Sequence, residues 1–318
     1  MTYARAAMEQ PRRRPRITVF GPSPLLTVTI EALPGKRDDI HLHPGGQGVW
    51  VARTAGELGA EPILCAMVGG ETGAVLQPLL EALPGELRLV RTATSSGCVV
   101  VDRRRGERSV VAGHLSDPAS RHEIDDLVSI ACAEALGSEA LAVCSGYPAE
   151  VVPDAVYREL VATARANGIP SFVDLSSPSL DGALEAGPDV VKINDWQLAE
   201  WLSAPVDGRR WRPAAERLLA AGARAAVVTR AGEPALAVKD GQAWEIVPPR
   251  LERGFREGCG DSMLGAMAAT TAAGEGWERS LVVGAAAGAA CFLRQGLGSA
   301  KREVIDELAE RVELRRLD

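Results

Sequence analysis

The chain has 318 residues, a formal net charge of -7, 46% hydrophobic residues and 4% aromatic ones. That length and apolar content suit one α/β domain with a small appendage and a large core, and the acidic balance argues against nucleic acid as a partner. The six cysteines (Cys65, Cys98, Cys132, Cys144, Cys259 and Cys291) lack the close spacing of a zinc framework or a small secreted disulfide scaffold, so reduced thiols in a cytoplasmic protein are expected.

Residues 1–15 carry Arg12-Arg13-Arg14 with no apolar signal region behind them, and a disordered extension is expected there. From 16 to 318 strand-like and helix-like patterns alternate. Residues 17–20 predict a strand, 48–58 a helix, 63–68 a buried strand and 72–83 a helix. Two stretches break that rhythm. Residues 39–43 alternate polar and apolar. Residues 97–102 and 109–112 flank the charged turn Arg103-Arg104-Arg105-Gly106-Glu107, which predicts a hairpin with a solvated tip. Such a hairpin cannot enter a parallel sheet by a helical crossover, so segments near 22–44 and 94–113 are expected to form a separate lid.

Beyond it the pattern predicts strand 140–144, helix 151–167, strand 171–175, a short strand at 190–191, helices 196–202 and 213–221, and strand 225–229. A second hairpin is expected from 235–239 and 244–247, and helices over 263–273 and 281–293. The apolar run 285–290 soon meets Arg294 and reads as a buried helix. No stretch is long and charge-free enough to span a bilayer, so no membrane partner is expected. Alternating strands and helices imply a mostly parallel sheet covered on both faces.

The chemistry concentrates at Gly258-Cys259-Gly260-Asp261-Ser262, ahead of an apolar helix. Glycines before a helix let bare amides converge, and the helix N-terminus adds partial positive charge, making an anion hole suited to a transferring phosphoryl group. Asp261 lies in the first turn, where it can take a proton from a hydroxyl. Asp and Ser are also ordinary N-cap residues, and that plainer reading stands beside the catalytic one. Gly45-Gly46-Gln47-Gly48 is a second glycine element before a helix, open either to a ligand or to a tight turn.

Taken in order, these elements resemble the ribokinase-like (PfkB) carbohydrate kinases, nearest the 1-phosphofructokinase and tagatose-6-phosphate kinase branch. Gly45-Gly46-Gln47-Gly48 with Val51-Ala52-Arg53 resembles GGKG-x-NVAR, and Val68 to Gly73 a glycine-rich stretch. Cys144-Ser145-Gly146-Tyr147-Pro148 is similar to SGSxP, Val173 to Ser176 to DTS, and Lys192 to Gln197 to KPNxxE. Thr229 to Glu233 is similar to a nucleotide loop, and Glu257 to Met263 to VGAGDSM.

The resemblance implies a ribokinase-like, Rossmann-type α/β sheet with helices on both faces plus a β-sheet lid. It implies ATP with Mg2+ and a small-molecule alcohol substrate. It also implies a homodimer paired through the lid. Asp261 would be the base, with Gly258, Cys259 and Gly260 giving anion-hole amides. Lys192, Asn194, Thr229, Arg230 and Gly232 would meet the nucleotide, and Gly284, Ala287 and Gly288 would leave room for adenine. Asn194 and Gln197 would order magnesium through water. Leu25, Gly45, Gly46, Gln47 and Trp50 would face the substrate.

The departures lie mostly on the substrate side. Leu25 replaces a sugar-binding Asp, Gln47 a Lys and Trp50 an Asn; Ser95-Ser96-Gly97 replaces an Arg-x-Asn element; Gln197 replaces a Glu. They favour an acceptor other than fructose 1-phosphate. Two other readings remain open: a nucleoside kinase, suggested by Trp50, and a catalytically silent binding protein on the same fold.

Overall fold

The computed structural model describes residues 13–33, 35, 37–145, 151–294 and 300–318. The first half contains β1 (Arg16–Phe20), β2 (Leu25–Glu31), β3 (Asp39–Gly45), α1 (Gln47–Glu57), β4 (Glu61–Gly69), α2 (Gly70–Glu81), β5 (Glu86–Thr92), β6 (Gly97–Asp102), β7 (Ser109–His114), α3 (Arg121–Ala135), β8 (Ala140–Cys144) and α4 (Asp154–Ala166). There follow β9 (Ser171–Asp174), α5 (Ser179–Ala186), β10 (Val190–Asn194), α6 (Asp195–Trp201), α7 (Trp211–Ala220), β11 (Ala225–Arg230), β12 (Glu233–Lys239) and β13 (Gln242–Val247). The chain closes with α8 (Cys259–Ala272), α9 (Trp277–Phe292), α10 (Arg302–Ala309) and β14 (Glu313–Leu317).

Ten strands form the main sheet in the order β14-β13-β12-β11-β10-β9-β8-β1-β4-β5. The run from β11 to β5 is parallel, and β12, β13 and β14 extend it antiparallel. Along β1, Ile17 and Val19 pack into one core with α1, α2 and α8, while Phe20 packs into a second with α3, α4, α5 and α7. Strands buried on both faces show no polar alternation, which is why they read as short apolar runs. Where 1–15 was expected to be an extension, residues 1–12 lie outside the described residues, and the Pro15 carbonyl already accepts from Glu61 N–H at 2.8 Å.

The lid is a separate four-stranded sheet, β3-β2-β6-β7. At its base Leu25 lies between Gly45 of β3 and Gly97 of β6. The expected hairpin is β6–β7. Its tip is not wholly solvated, which corrects the sequence reading: the Arg103 side chain is only 10% exposed and packs over the Phe255 ring at 3.8 Å.

Beneath the lid, α1 approaches the end of β1 closely. A Cβ on Gly21 would lie 2.6 Å from Gly48 Cα, so neither position admits a side chain without displacement. This contact sets the start of α1, and Gln47 with it, at the carboxyl end of the sheet, where open α/β folds hold their ligands.

Candidate active site

Gly258 enters α8 with φ 79°, a left-handed conformation that glycine adopts without strain, and α8 has no side-chain cap. Neither Asp261 nor Ser262 therefore serves as the N-cap. Ser262 N–H closes the first turn on Gly258 O at 2.8 Å. The amides of Gly258, Gly260 and Asp261 have no acceptor among the described residues. Cys259 differs from expectation: its N–H donates to Arg256 O at 3.2 Å, because the tight entry folds that carbonyl back under the turn. The unpaired amides are thus displaced by one residue from those expected, from Cys259 to Asp261 itself.

Asp261 is buried, 7% exposed. Burial and the nearby charge of Asp174 push its carboxyl up to about 7, while Lys192 and a hydrogen bond from the Gln47 side chain pull the other way. Gln47, at the start of α1, therefore lies beside the acid at the start of α8. Lys192 Nζ donates to Asp174 Oδ2 at 2.5 Å, both side chains being almost wholly enclosed. Burial opposes the Lys192 charge, but Asp174 and Asp261 outweigh it and hold the ammonium above its ordinary range. That ammonium lies against Gly260, where any Cβ would strike it. Asp174 Oδ1 is buried without a hydrogen-bond partner among the described residues. Two acids, one cation and unpaired amides thus share one point at the strand ends.

The Cys259 thiol is held far above its ordinary range by the adjacent Cys291 thiol and by burial. It also donates to Phe255 O at 3.3 Å. It is consequently a poor nucleophile.

Other expected residues lie elsewhere or are engaged. Asn194 and Gln197 form a reciprocal cap on α6: Gln197 N–H donates to Asn194 Oδ1 at 2.9 Å and Asn194 N–H to Gln197 Oε1 at 3.2 Å. Those oxygens are thus partly spent. Thr229 Oγ1 donates to Ile193 O at 3.5 Å. Arg230 donates to Pro234 O and stacks on Trp211, so its charge is used within the protein. Gly232 is exposed, with open space where a Cβ would stand.

The small residues expected to leave room for adenine turn toward α8. Ala287 is fully buried, a Cβ on Gly284 would lie 2.8 Å from Met267 Cγ, and one on Gly288 would lie 3.1 Å from Cys259 O. These small residues instead let α9 pack tightly on α8. Leu25, Gly45 and Gly46 lie at the lid joint. Trp50 is half-buried, packed partly on the core and against Gly45. Arg256 is exposed. Gly146, Tyr147 and Pro148 lie outside the described residues. A water-sized cavity of about 10 Å³ at the lid base is lined by Thr94, Ser95, Ser96, Ser116 and Asp117 among others, none of them Lys or Arg.

Sequence reading missed the pairing of Asp174 with Lys192 and the link from Gln47 to Asp261. A lone Asp and a lone Lys in two short apolar strands were the available signal for the first. Nothing in the chain order signals the second.

Comparison with known proteins agrees with this arrangement. The profile described as pfkB family carbohydrate kinase matches residues 27–303. The chain is 31% identical over 263 residues to the ATP-dependent 6-phosphofructokinase isozyme 2 of Escherichia coli, covering 80% of this chain and 82% of that one. It is 30% identical over 234 residues to the 1-phosphofructokinase of Rhodobacter capsulatus, covering 69% and 70%. Its structure resembles that of E. coli phosphofructokinase-2 in complex with potassium, with a TM-score of 0.82, 25% identity and coverage of 93% and 99%.

Proposed function

This chain belongs to the pfkB family of carbohydrate kinases, which makes it an ATP-dependent kinase of a sugar or sugar phosphate, and we propose that Asp261 is its general base. The observation that carries the proposal is a buried acid, raised to about 7, in the first turn of a helix whose opening amides are unpaired. Asp261 takes the hydrogen of the acceptor hydroxyl as that oxygen attacks the terminal phosphoryl group. The amides of Gly258, Gly260 and Asp261 bind the charge spread over the phosphoryl oxygens, and Lys192 adds a cation beside them. Gln47 orients the carboxyl.

The residues present fit Mg2+. Asp174 Oδ1 is a buried carboxylate oxygen with no hydrogen-bond partner among the described residues, and hard oxygen donors suit that ion. Asp174 and, through its free lone pair, Asn194 would hold it. When bound, Mg2+ neutralises phosphate charge. Thr229 and Gly232 would border the nucleotide.

The acceptor, on this reading, carries no phosphate at the lid end. Gln47 stands where the family motif has Lys, and Ser95-Ser96-Gly97 where it has an Arg-x-Asn element. A phosphate there would lose water without gaining a charged partner. Partly buried Trp50 beside Gly45 offers the rest of its apolar face to a ring. The lid's edge strands expose Ile40, Leu42, Val110 and Val111, which supports pairing of two subunits through this sheet.

ADP release with MgATP over a panel of hexoses, ribose, nucleosides, fructose 1-phosphate, fructose 6-phosphate and tagatose 6-phosphate tests this reading. An unphosphorylated acceptor should exceed the sugar phosphates in kcat/KM by about tenfold or more. Preference for fructose 1-phosphate, fructose 6-phosphate or tagatose 6-phosphate contradicts the acceptor proposal. Nucleotide binding with no turnover of any acceptor contradicts the assignment of Asp261.

A further inference from the structure

The segment 255–257, immediately before the anion hole, is tied on two sides. Its main chain belongs to the core: Phe255 N–H donates to Phe292 O at 2.9 Å, and Cys291 Sγ donates to Glu257 O at 3.7 Å. Arg256 O and Phe255 O receive the N–H and thiol of Cys259, at 3.2 and 3.3 Å. Gly254 is pressed so closely on Phe292 that a Cβ would overlap it.

Its two outer side chains belong to the lid. The Arg103 guanidinium lies 3.8 Å from the centre of the Phe255 ring, and Arg108 Nη1 lies 3.6 Å from Glu257 Oε1. Arg103 is itself fixed within the lid, its N–H donating to Ile30 O at 2.8 Å and its guanidinium pairing with Glu31 at 3.5 Å. The next residue of the same turn behaves differently. Arg104 is exposed and pairs with Asp102 and Asp38 inside the lid. One hairpin turn therefore presents two arginines, five residues apart, to the strap that carries the phosphate-binding amides.

We propose that Arg103, supported by Arg108, is a positioning residue: it latches the lid onto residues 255–257 and so holds the amides of Gly258, Gly260 and Asp261 in register. Enclosure of an acceptor under the lid and alignment of the anion hole are then one event. A planar guanidinium suits the role, because it can stack on Phe255 and pair with Glu31 together. The inference rests on the assignment of the first turn of α8 as the anion hole, but its readout does not depend on turnover.

The test is amide hydrogen exchange on the full-length chain, with Arg103→Ala, Arg103→Lys, Phe255→Leu, the Arg103→Ala/Phe255→Leu double variant and Arg104→Ala. Exchange of the two hydrogen-bonded amides of 255–261, Phe255 and Cys259, should rise about tenfold in Arg103→Ala and in Phe255→Leu, and no further in the double variant. Arg103→Lys should recover only part of the protection, and Arg104→Ala should leave 255–261 at the wild-type rate. Unchanged exchange over 255–261 in Arg103→Ala, or additive effects in the double variant, overturns the latch. A folded wild-type chain without kinase activity would sink the kinase assignment yet leave this result readable.

Discussion

At Asp261 the physics of the site is concentrated in one proton. Burial and a neighbouring acid keep it bound up to about pH 7, so turnover should rise with pH through that value. The same shift has a cost in stability. The unfolded chain releases this proton near the ordinary carboxyl range and the folded chain only near 7, so Asp261 destabilises the fold progressively as pH climbs from about 4 through 7. Asp261→Asn should therefore raise Tm more at pH 8 than at pH 4, as differential scanning calorimetry can measure; an equal gain at both would mean an ordinary carboxyl. Gln47 tunes this group by donating to its charged form. Gln47→Leu should move the acid limb of the pH–rate profile upward by about 0.5–1 unit, and Gln47→Lys should move it downward. An unmoved limb in both would remove Gln47 from the site. The presence of an acid here was legible from its glycine-rich setting. Its contact with Gln47 was not, because the two stand 214 positions apart in the chain and only packing brings them together.

Helices α1 and α8 carry these partners, and they meet at a glycine. A Cβ on Gly265 would run into the Val51 carbonyl, so the two axes sit closer than any side chain allows. Gly265→Ala should cost about 1–3 kcal/mol in denaturant unfolding and lower turnover as well, because it parts Gln47 from Asp261. Gly113→Ala, where the nearest atom is 3.7 Å away in the lid, should change neither. Helices with an apolar face and buried strands were readable in chain order, most within a few residues of the observed ends. The missed elements have physical reasons. β2 keeps part of its polar side chains under cover, with Thr27 and Thr29 buried, so apolar content does not mark its buried face. β14 is a charged edge strand, ELRRL, with little burial to advertise it. α3 opens on a Ser120–Glu123 capping box, a signal present in the sequence but passed over. At α9 the small residues were assigned to ligand room; in a helix packed on another helix, smallness serves close approach instead.

Across the whole molecule, the parallel order of the main sheet places the ends of β8, β9 and β10 and the start of α8 at one point, with the lid sheet rooted beside it. Family motifs in correct order made that architecture foreseeable, including the separation of the hairpin from the main sheet. The acceptor was less legible, because the residues that would name it are the ones that depart from the family pattern. The lid also bears on assembly: Ile40→Glu with Leu42→Glu should convert a dimer to monomers in sedimentation, and an unchanged mass would place the subunit contact elsewhere. None of these tests reaches the central assignment as directly as one comparison. ADP formation from MgATP, measured against pH with the preferred acceptor, should show an inflection near 7 in the native chain and fall about 10³–10⁴-fold in Asp261→Asn, with nucleotide affinity retained. A variant that keeps most of its turnover would contradict Asp261 as the base.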